Sequence, residues 1–206
     1  MSDDIYVYGS ATRGEARPDS DVDVLVATRT NGAVARYPYT WSVYHIDVLK
    51  EKYAQGQLFA WHLFLHARCI FSSNEVDELS SLGRPSDYVT ARKDICELKE
   101  LFQSAAAALR NGSSSPIFEL GICHTAIRDV AMSASWHMLD QPSFSRYSPY
   151  EIPLKLNISM DSYQVAMSAR HAGTRGTAAP RAIDQAIVDF TSPRAIEWIN
   201  SLLRII

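Results

Sequence analysis

The sequence predicts an α+β chain: a small domain of short strands and helices over residues 1–73, followed by an α-helical bundle over residues 74–206. Three observations carry this. Before residue 74, short β-like runs alternate with glycine and turn signals. Beyond it, apolar residues recur every three or four positions. Hydrophobic residues make up 47% and charged residues 21% of 206 residues, a composition that supports a sizeable core and excludes a disordered chain.

In order, Ile5 to Tyr8 is an apolar run that stops at Gly9, and Val22 to Val26 is a second strand. Thr40 to Leu49, rich in β-branched and aromatic residues, reads as a third. Phe59 to His66 has helical spacing, and Cys69 to Phe71 is a short fourth strand. In the second half, Ile95, Leu98, Phe102, Ala105 and Leu109 mark a long helix, opened near Ser86 and closed by Asn111-Gly112. Ile117, Leu120, Ile127, Val130 and Met138 mark another, started at Pro116. Asp140 to Tyr150 reads as a loop, and further helices are expected over Ser159 to Arg170, Arg181 to Phe190 and from Pro193 onward.

Charge and cysteine content narrow the function classes. A net charge of -3 with a pI near 6.1 excludes a basic nucleic-acid coat protein. Of the 20 basic residues 15 are arginine, a residue suited to planar two-pronged contacts with phosphate or carboxylate. The apolar runs fall short of the ~20 residues a membrane span needs, so no membrane partner is expected. MSDDIYVYGS shows neither a basic n-region nor an apolar h-region, so no secretory signal is expected. Cys69, Cys96 and Cys123 are scattered and odd in number, which fits a reducing cytoplasm better than a disulfide framework.

The chemistry is concentrated in Tyr8-Gly9-Ser10-Ala11-Thr12-Arg13-Gly14 and Arg17-Pro18-Asp19-Ser20-Asp21-Val22-Asp23-Val24-Leu25-Val26. A strand ending at Gly9-Ser10 lets a ligand approach a backbone without Cβ. A helix beginning just after it would turn free N–H groups toward a phosphate. Asp21 and Asp23, two apart on one strand, share a face, with Val22 and Val24 turned into the core. Two carboxylates beside a glycine turn suit a hard divalent cation that also holds phosphate oxygens.

On these residues the sequence resembles the nucleotidyltransferase superfamily that includes DNA polymerase β, and most closely its minimal nucleotidyltransferases and aminoglycoside adenylyltransferases. Gly9, Ser10, Gly14, Ser20, Asp21 and Asp23 match the signature of Gly-Ser, a glycine-containing stretch and an Asp-x-Asp pair opening a strand. His45-Ile46-Asp47-Val48 offers Asp47 as the third carboxylate on a later strand. Gly56, Leu58, Phe59, His62 and Leu63, then Arg68 to Phe71, resemble the end of that domain. The resemblance implies a mixed sheet with flanking helices. It also implies two Mg²⁺ ions on Asp21, Asp23 and Asp47, with Asp47 on the acceptor side helping to deprotonate the hydroxyl, and Gly9, Ser10, Arg13 and Ser20 around the nucleotide. The activity it implies is transfer of AMP from ATP to a hydroxyl, with pyrophosphate released. The acceptor would be a small molecule such as an aminoglycoside, a protein side chain as in toxin–antitoxin systems, or a tRNA 3′ end. A catalytically silent relative acting as a binding partner or antitoxin is the alternative, and self-association into a homo-oligomer stays open.

Other candidates carry competing readings. Arg13 either touches phosphate or is an exposed turn arginine. His45 shares the expected strand face of Asp47 and is a candidate contact to nucleotide or acceptor. His62 and His66 have metal-ligand spacing, but Leu63 stands where a zinc-protease glutamate would, so they read as packing histidines. His124, Arg128 and Asp129 form a candidate polar cluster. No arginine precedes a histidine at the four-to-six spacing of the helical RNases often paired with such enzymes, which disfavours that activity. Asp94, Glu97 and Glu100 form an acidic stripe, suited to a cationic acceptor or simply solvated. Arg170, Arg175 and Arg181 flank a stretch that reads as a basic loop for phosphates or as plain surface.

Overall fold

A computed structural model of the chain describes residues 3–16 and 20–206, the side chain of Arg175 apart. The chain divides into two compact units, 1–89 and 90–206. That boundary lies past the expected 73/74 because residues 77–86 are fastened into the first unit. The Tyr6 hydroxyl donates to Asp77 at 2.7 Å, the Asp4 carboxylate accepts from the Glu78 backbone, and Leu79 is buried. Trp61 Nε1 donates to the Ser86 carbonyl at 2.9 Å. These partners are 25 to 74 residues apart in sequence, out of reach of any local pattern.

The first unit is built on four strands, β1 (Asp3–Tyr8), β2 (Asp23–Thr28), β3 (Ser42–His45) and β4 (Arg68–Phe71), in the order β3-β2-β1-β4. β1 is antiparallel to both β2 and β4, and β2 is parallel to β3, so the sheet is mixed. Tyr6 and Tyr8 face the same way as their partners Leu25 and Asp23. Over that face lie α1 (Ile46–Ala54), α2 (Leu58–His66) and α3 (Glu78–Leu82). Tyr6, Leu25, Ala27, Ile46, Leu49, Ala60 and Leu63 form its core, all at 1% exposure or less. Burying each large side chain contributes about 1.5–3 kcal/mol, which makes this face the main stabiliser of the unit.

Two elements depart from expectation. The third strand stops at His45, and Ile46 begins α1. Ile46, Leu49 and Tyr53 are buried at helical spacing, which outweighs the brief alternation of Val43, His45 and Asp47. His45 also caps the helix, its Nδ1 accepting from the Asp47 backbone N–H at 3.3 Å. After Gly9-Ser10 the described residues form no long helix; a three-residue 3₁₀ turn, Gly9–Ala11, leads into further turns in place of the expected helix start. α3, too short for a periodic signal, goes unseen in the sequence.

The second unit is all helical among its described residues: α4 (Ala91–Arg110), α5 (Pro116–Met138), α6 (Ser148–Glu151), α7 (Met160–Arg175), α8 (Asp184–Thr191) and α9 (Pro193–Leu202). Leu120, Ile127, Val130, Tyr163, Phe190 and Ile199, all fully buried, centre its core. Gly121 lets α7 approach α5, since a Cβ there would come within 2.9 Å of Arg170 Cα. α4 opens at Ala91 rather than near Ser86, and the expected loop at Asp140 to Tyr150 carries the single turn α6. α7 runs to Arg175, so Arg170 lies inside a helix and only Arg181 stands in the connecting segment. α8 begins at Asp184 rather than Arg181. Among the described residues no helix is long and apolar enough to cross a membrane.

Candidate functional site

The antiparallel pairing of β1 with β2 explains why a glycine turn and an acidic pair twelve residues apart can meet. Tyr8 is directly opposite Asp23, so Gly9-Ser10 leaves β1 at the end where β2 begins. Gly9 has φ +76°, a conformation that glycine adopts at little cost and residues with a Cβ do not. A Cβ built on Gly9 would overlap the Asp23 carboxylate. Ser10 is buried, and its carbonyl accepts from the Glu15 backbone N–H at 3.0 Å, closing the turn on itself. Thr12 Oγ1 adds a hydrogen bond to the Gly9 carbonyl at 3.1 Å.

Asp21 and Asp23 both reach this corner, though only Asp23 belongs to the strand. Asp21 is exposed in the segment leading into β2, and Ser20 beside it is half-buried. Val22 is exposed at 57% rather than packed, while Val24 is buried as expected. Tyr8 reports on both carboxylates. Burial pushes its hydroxyl upward, a hydrogen bond with Ser42 opposes this, and the charges of Asp23 and Asp21 raise it further. Tyr8 and Ser42 oxygens are 3.3 Å apart. Ser42 pairs with Leu25, on the same sheet face as Asp23, and is the residue β3 brings toward the acidic pair. Residues 17–19 of the motif lie outside the described residues.

Asp47 is not brought to this site. It lies in the first turn of α1, two residues past His45, which pairs with Thr28 at the far end of β2. Asp23 to Thr28 is five strand steps, about 16 Å at ~3.3 Å per residue. A carboxylate must come within ~2.0–2.1 Å of Mg²⁺ to bind it. The side chain is 70% exposed, 3.3 Å from Lys50 Nζ and 3.4 Å from His45 Nδ1, the position of an acid that complements a helix N-terminus. His45 is likewise at this end, its Nε2 3.3 Å from the Arg29 carbonyl. Among the described residues, no group of three or more His, Cys, Asp or Glu side chains could hold a metal ion.

Arg13 is neither an exposed turn residue nor turned outward. Its side chain is 11% exposed and forms a two-pronged pair with Glu15, Nε at 3.0 Å and Nη2 at 2.9 Å. Nη1 lies 3.0 Å from His62 Nε2 on α2. His62 meets Tyr8 edge-to-face at 5.7 Å between ring centroids and His66 at 5.5 Å. Burial, then the charges of Arg13 and Arg68, hold His66 below the ordinary histidine value. The His62–His66 spacing thus serves packing, as expected, but His62 also holds a loop residue. The Arg13–His62 contact spans 49 residues and leaves no local signal in the sequence.

In the second unit, Asp94 accepts from the Thr90 hydroxyl at 3.0 Å and Glu97 lies 3.8 Å from Lys93, the pattern of a solvated helix face. Arg128 pairs with Asp129 at 2.7 Å. His124 is buried one turn earlier with neither ring nitrogen hydrogen-bonded. Cys69, Cys96 and Cys123 are all free thiols.

A family model described as the nucleotidyltransferase domain matches residues 2–104, half of the chain. The matched span takes in the whole sheet, the Gly9-Ser10 turn, Asp21 and Asp23, and runs on into α4. A comparison with curated proteins finds no match.

Proposed function

The chain belongs to the nucleotidyltransferase-domain family, and from that premise we propose that it transfers AMP from ATP to an acceptor hydroxyl, with release of pyrophosphate. The observation that carries this reading is the packing of the Asp23 carboxylate onto Gly9, beside Ser10 and Asp21, at one corner of the sheet. A backbone free of Cβ and a pair of carboxylates meet where a triphosphate and its cation would have to meet.

Mg²⁺ commonly binds through one or two carboxylates plus substrate phosphates, so Asp21 and Asp23 fit a cation that arrives with the nucleotide. Bound there, the cation would neutralise phosphate charge during transfer. The chain's own part is positional. Gly9 admits the Asp23 carboxylate against the backbone, and Ser10 with its neighbouring turn amides offers donors to the phosphates. Asp21 and Asp23 fix where the α-phosphate lies. The acceptor oxygen bonds to the α-phosphorus and gives its proton up to solvent, as the bond from that phosphorus to the β-phosphate oxygen breaks and pyrophosphate leaves. A second, acceptor-side cation would need a further carboxylate. Asp47, at the other end of β2, does not fit that place.

A second reading is a nucleotide-binding relative that does not transfer. The location of Asp47 at the other end of β2 favours it. The two readings separate in one experiment: incubation with Mg²⁺ and α-labelled ATP against lysate protein, total tRNA and aminoglycosides. Label carried by one acceptor class, and lost in Asp23→Asn, supports transfer. Mg²⁺-dependent ATP binding without labelled product supports the silent relative.

A further inference from the structure

We infer that His62 is a positioning residue for the nucleotide loop, acting through Arg13. The inference rests on the reading of residues 9–15 as the loop that holds phosphates. Arginine has five N–H donors and no acceptor, and it stays charged in proteins. The 3.0 Å contact between Arg13 Nη1 and His62 Nε2 is therefore donated by the guanidinium. His62 Nε2 must accept, so it carries no proton in this arrangement and the ring is neutral.

The same guanidinium grips Glu15 through its other two nitrogens, and the Glu15 backbone N–H bonds the Ser10 carbonyl. One side chain thereby ties the exit of the loop to α2, a helix whose Ala60, Trp61 and Leu63 are buried in the first unit. Beyond the bonds from Glu15 to Ser10 and from Thr12 to Gly9, this strut is what joins the loop to a packed helix. The loop contains only a three-residue 3₁₀ turn, and Gly14, with φ +73° and no heavy atom within 4 Å of a built Cβ, adds no packing of its own. The strut passes beside the acidic pair, since His62 touches the ring of Tyr8, the cross-strand partner of Asp23. Arg13 in this role orders the donors that meet the phosphates, without meeting a phosphate itself.

The opposite possibility is a latch, in which His62 and Glu15 restrain an arginine that phosphate would otherwise capture. The two give opposite signs. His62→Leu removes the acceptor and keeps an apolar side chain on α2, while His62→Gln keeps an acceptor oxygen of similar reach. Two readouts are taken on the full chain: Mg²⁺–ATP affinity by calorimetry, and amide hydrogen exchange over residues 9–16 without nucleotide. A strut predicts faster exchange in that segment and at least about tenfold weaker Mg²⁺–ATP binding in His62→Leu, with both largely restored in His62→Gln. Unchanged exchange, or binding that strengthens in His62→Leu, overturns the inference. Failure of the wild-type chain to bind Mg²⁺–ATP would count against the proposed function. The exchange measurement would still decide the strut. A melting temperature measured for each variant identifies global unfolding, and His62→Gln then carries the comparison: exchange and affinity close to wild type support the strut, and loss of either contradicts it.

Discussion

The Asp23 carboxylate lies against the α-carbon of Gly9, filling the space where any other residue would put its Cβ. Gly9 is thus constrained twice, by its positive φ and by its neighbour across the strands. Gly9→Ala is expected to cost about 1–3 kcal/mol from backbone conformation alone, and more where the carboxylate has to move. Denaturant unfolding of Gly9→Ala, Asp23→Ala and the double variant separates the two contributions. If the overlap matters, the double variant is less destabilised than the sum of the single ones. Strict additivity would mean that only the backbone conformation counts.

Asp47→Asn is expected to keep nucleotide transfer. Removing a catalytic base ordinarily costs about 10²–10⁴-fold in rate, whereas an acid in the first turn of a helix contributes about 0.3–1 kcal/mol of stability. The variant should show a slightly lower melting temperature and a rate within a few-fold of wild type. A loss of two orders of magnitude would return Asp47 to the site.

ATP binding should depend on a divalent cation. Asp21 and Asp23 place two negative charges where the triphosphate would lie, so the bare nucleotide is repelled. Calorimetry is expected to find strong ATP binding only with Mg²⁺ present. In Asp23→Asn the difference between the two conditions should shrink.

His124 gives the second unit a pH dependence of its own. Burial, then the charges of Arg128, Arg170 and His171, hold the ring well below the ordinary histidine value of about 6.5. The folded state therefore binds fewer protons than the unfolded chain, and stability rises with pH. The loss sets in as pH falls through about 6.5, at no more than about 1.4 kcal/mol per pH unit. His124→Phe keeps the ring packed on Tyr163, whose centroid is 4.8 Å away. The denaturation midpoint of this variant should fall less than wild type between about pH 7 and pH 5. Parallel curves would mean that another group sets the acid limb.

The part of the site legible in the sequence is the part set by local backbone geometry. Gly9, Ser10, Asp21 and Asp23 fall in one motif, and a simple antiparallel return brings them together. Asp47 is the residue the resemblance offers as a carboxylate on a later strand, and Val43, His45 and Asp47 do alternate as a strand would, while the same residues serve equally as a cap and first helical turn. The buried triad Ile46, Leu49 and Tyr53 decides between them, and its burial comes from tertiary packing. Arg13 is ambiguous in the sequence for a similar reason, since its partner His62 is 49 residues distant. The late domain boundary follows from Tyr6 and Asp77, which are 71 residues apart.

The corner formed by Gly9, Ser10, Asp21 and Asp23 is proposed to transfer a nucleotide. The most direct test is transfer of α-labelled ATP, with Mg²⁺, to a panel of lysate protein, total tRNA and aminoglycosides, run in parallel with Asp21→Asn and Asp23→Asn. Covalent label on one acceptor class, release of pyrophosphate in equal amount, and loss of both in either variant are expected. Label that persists undiminished in both variants, or wild-type protein that binds Mg²⁺–ATP yet labels no acceptor, would contradict it.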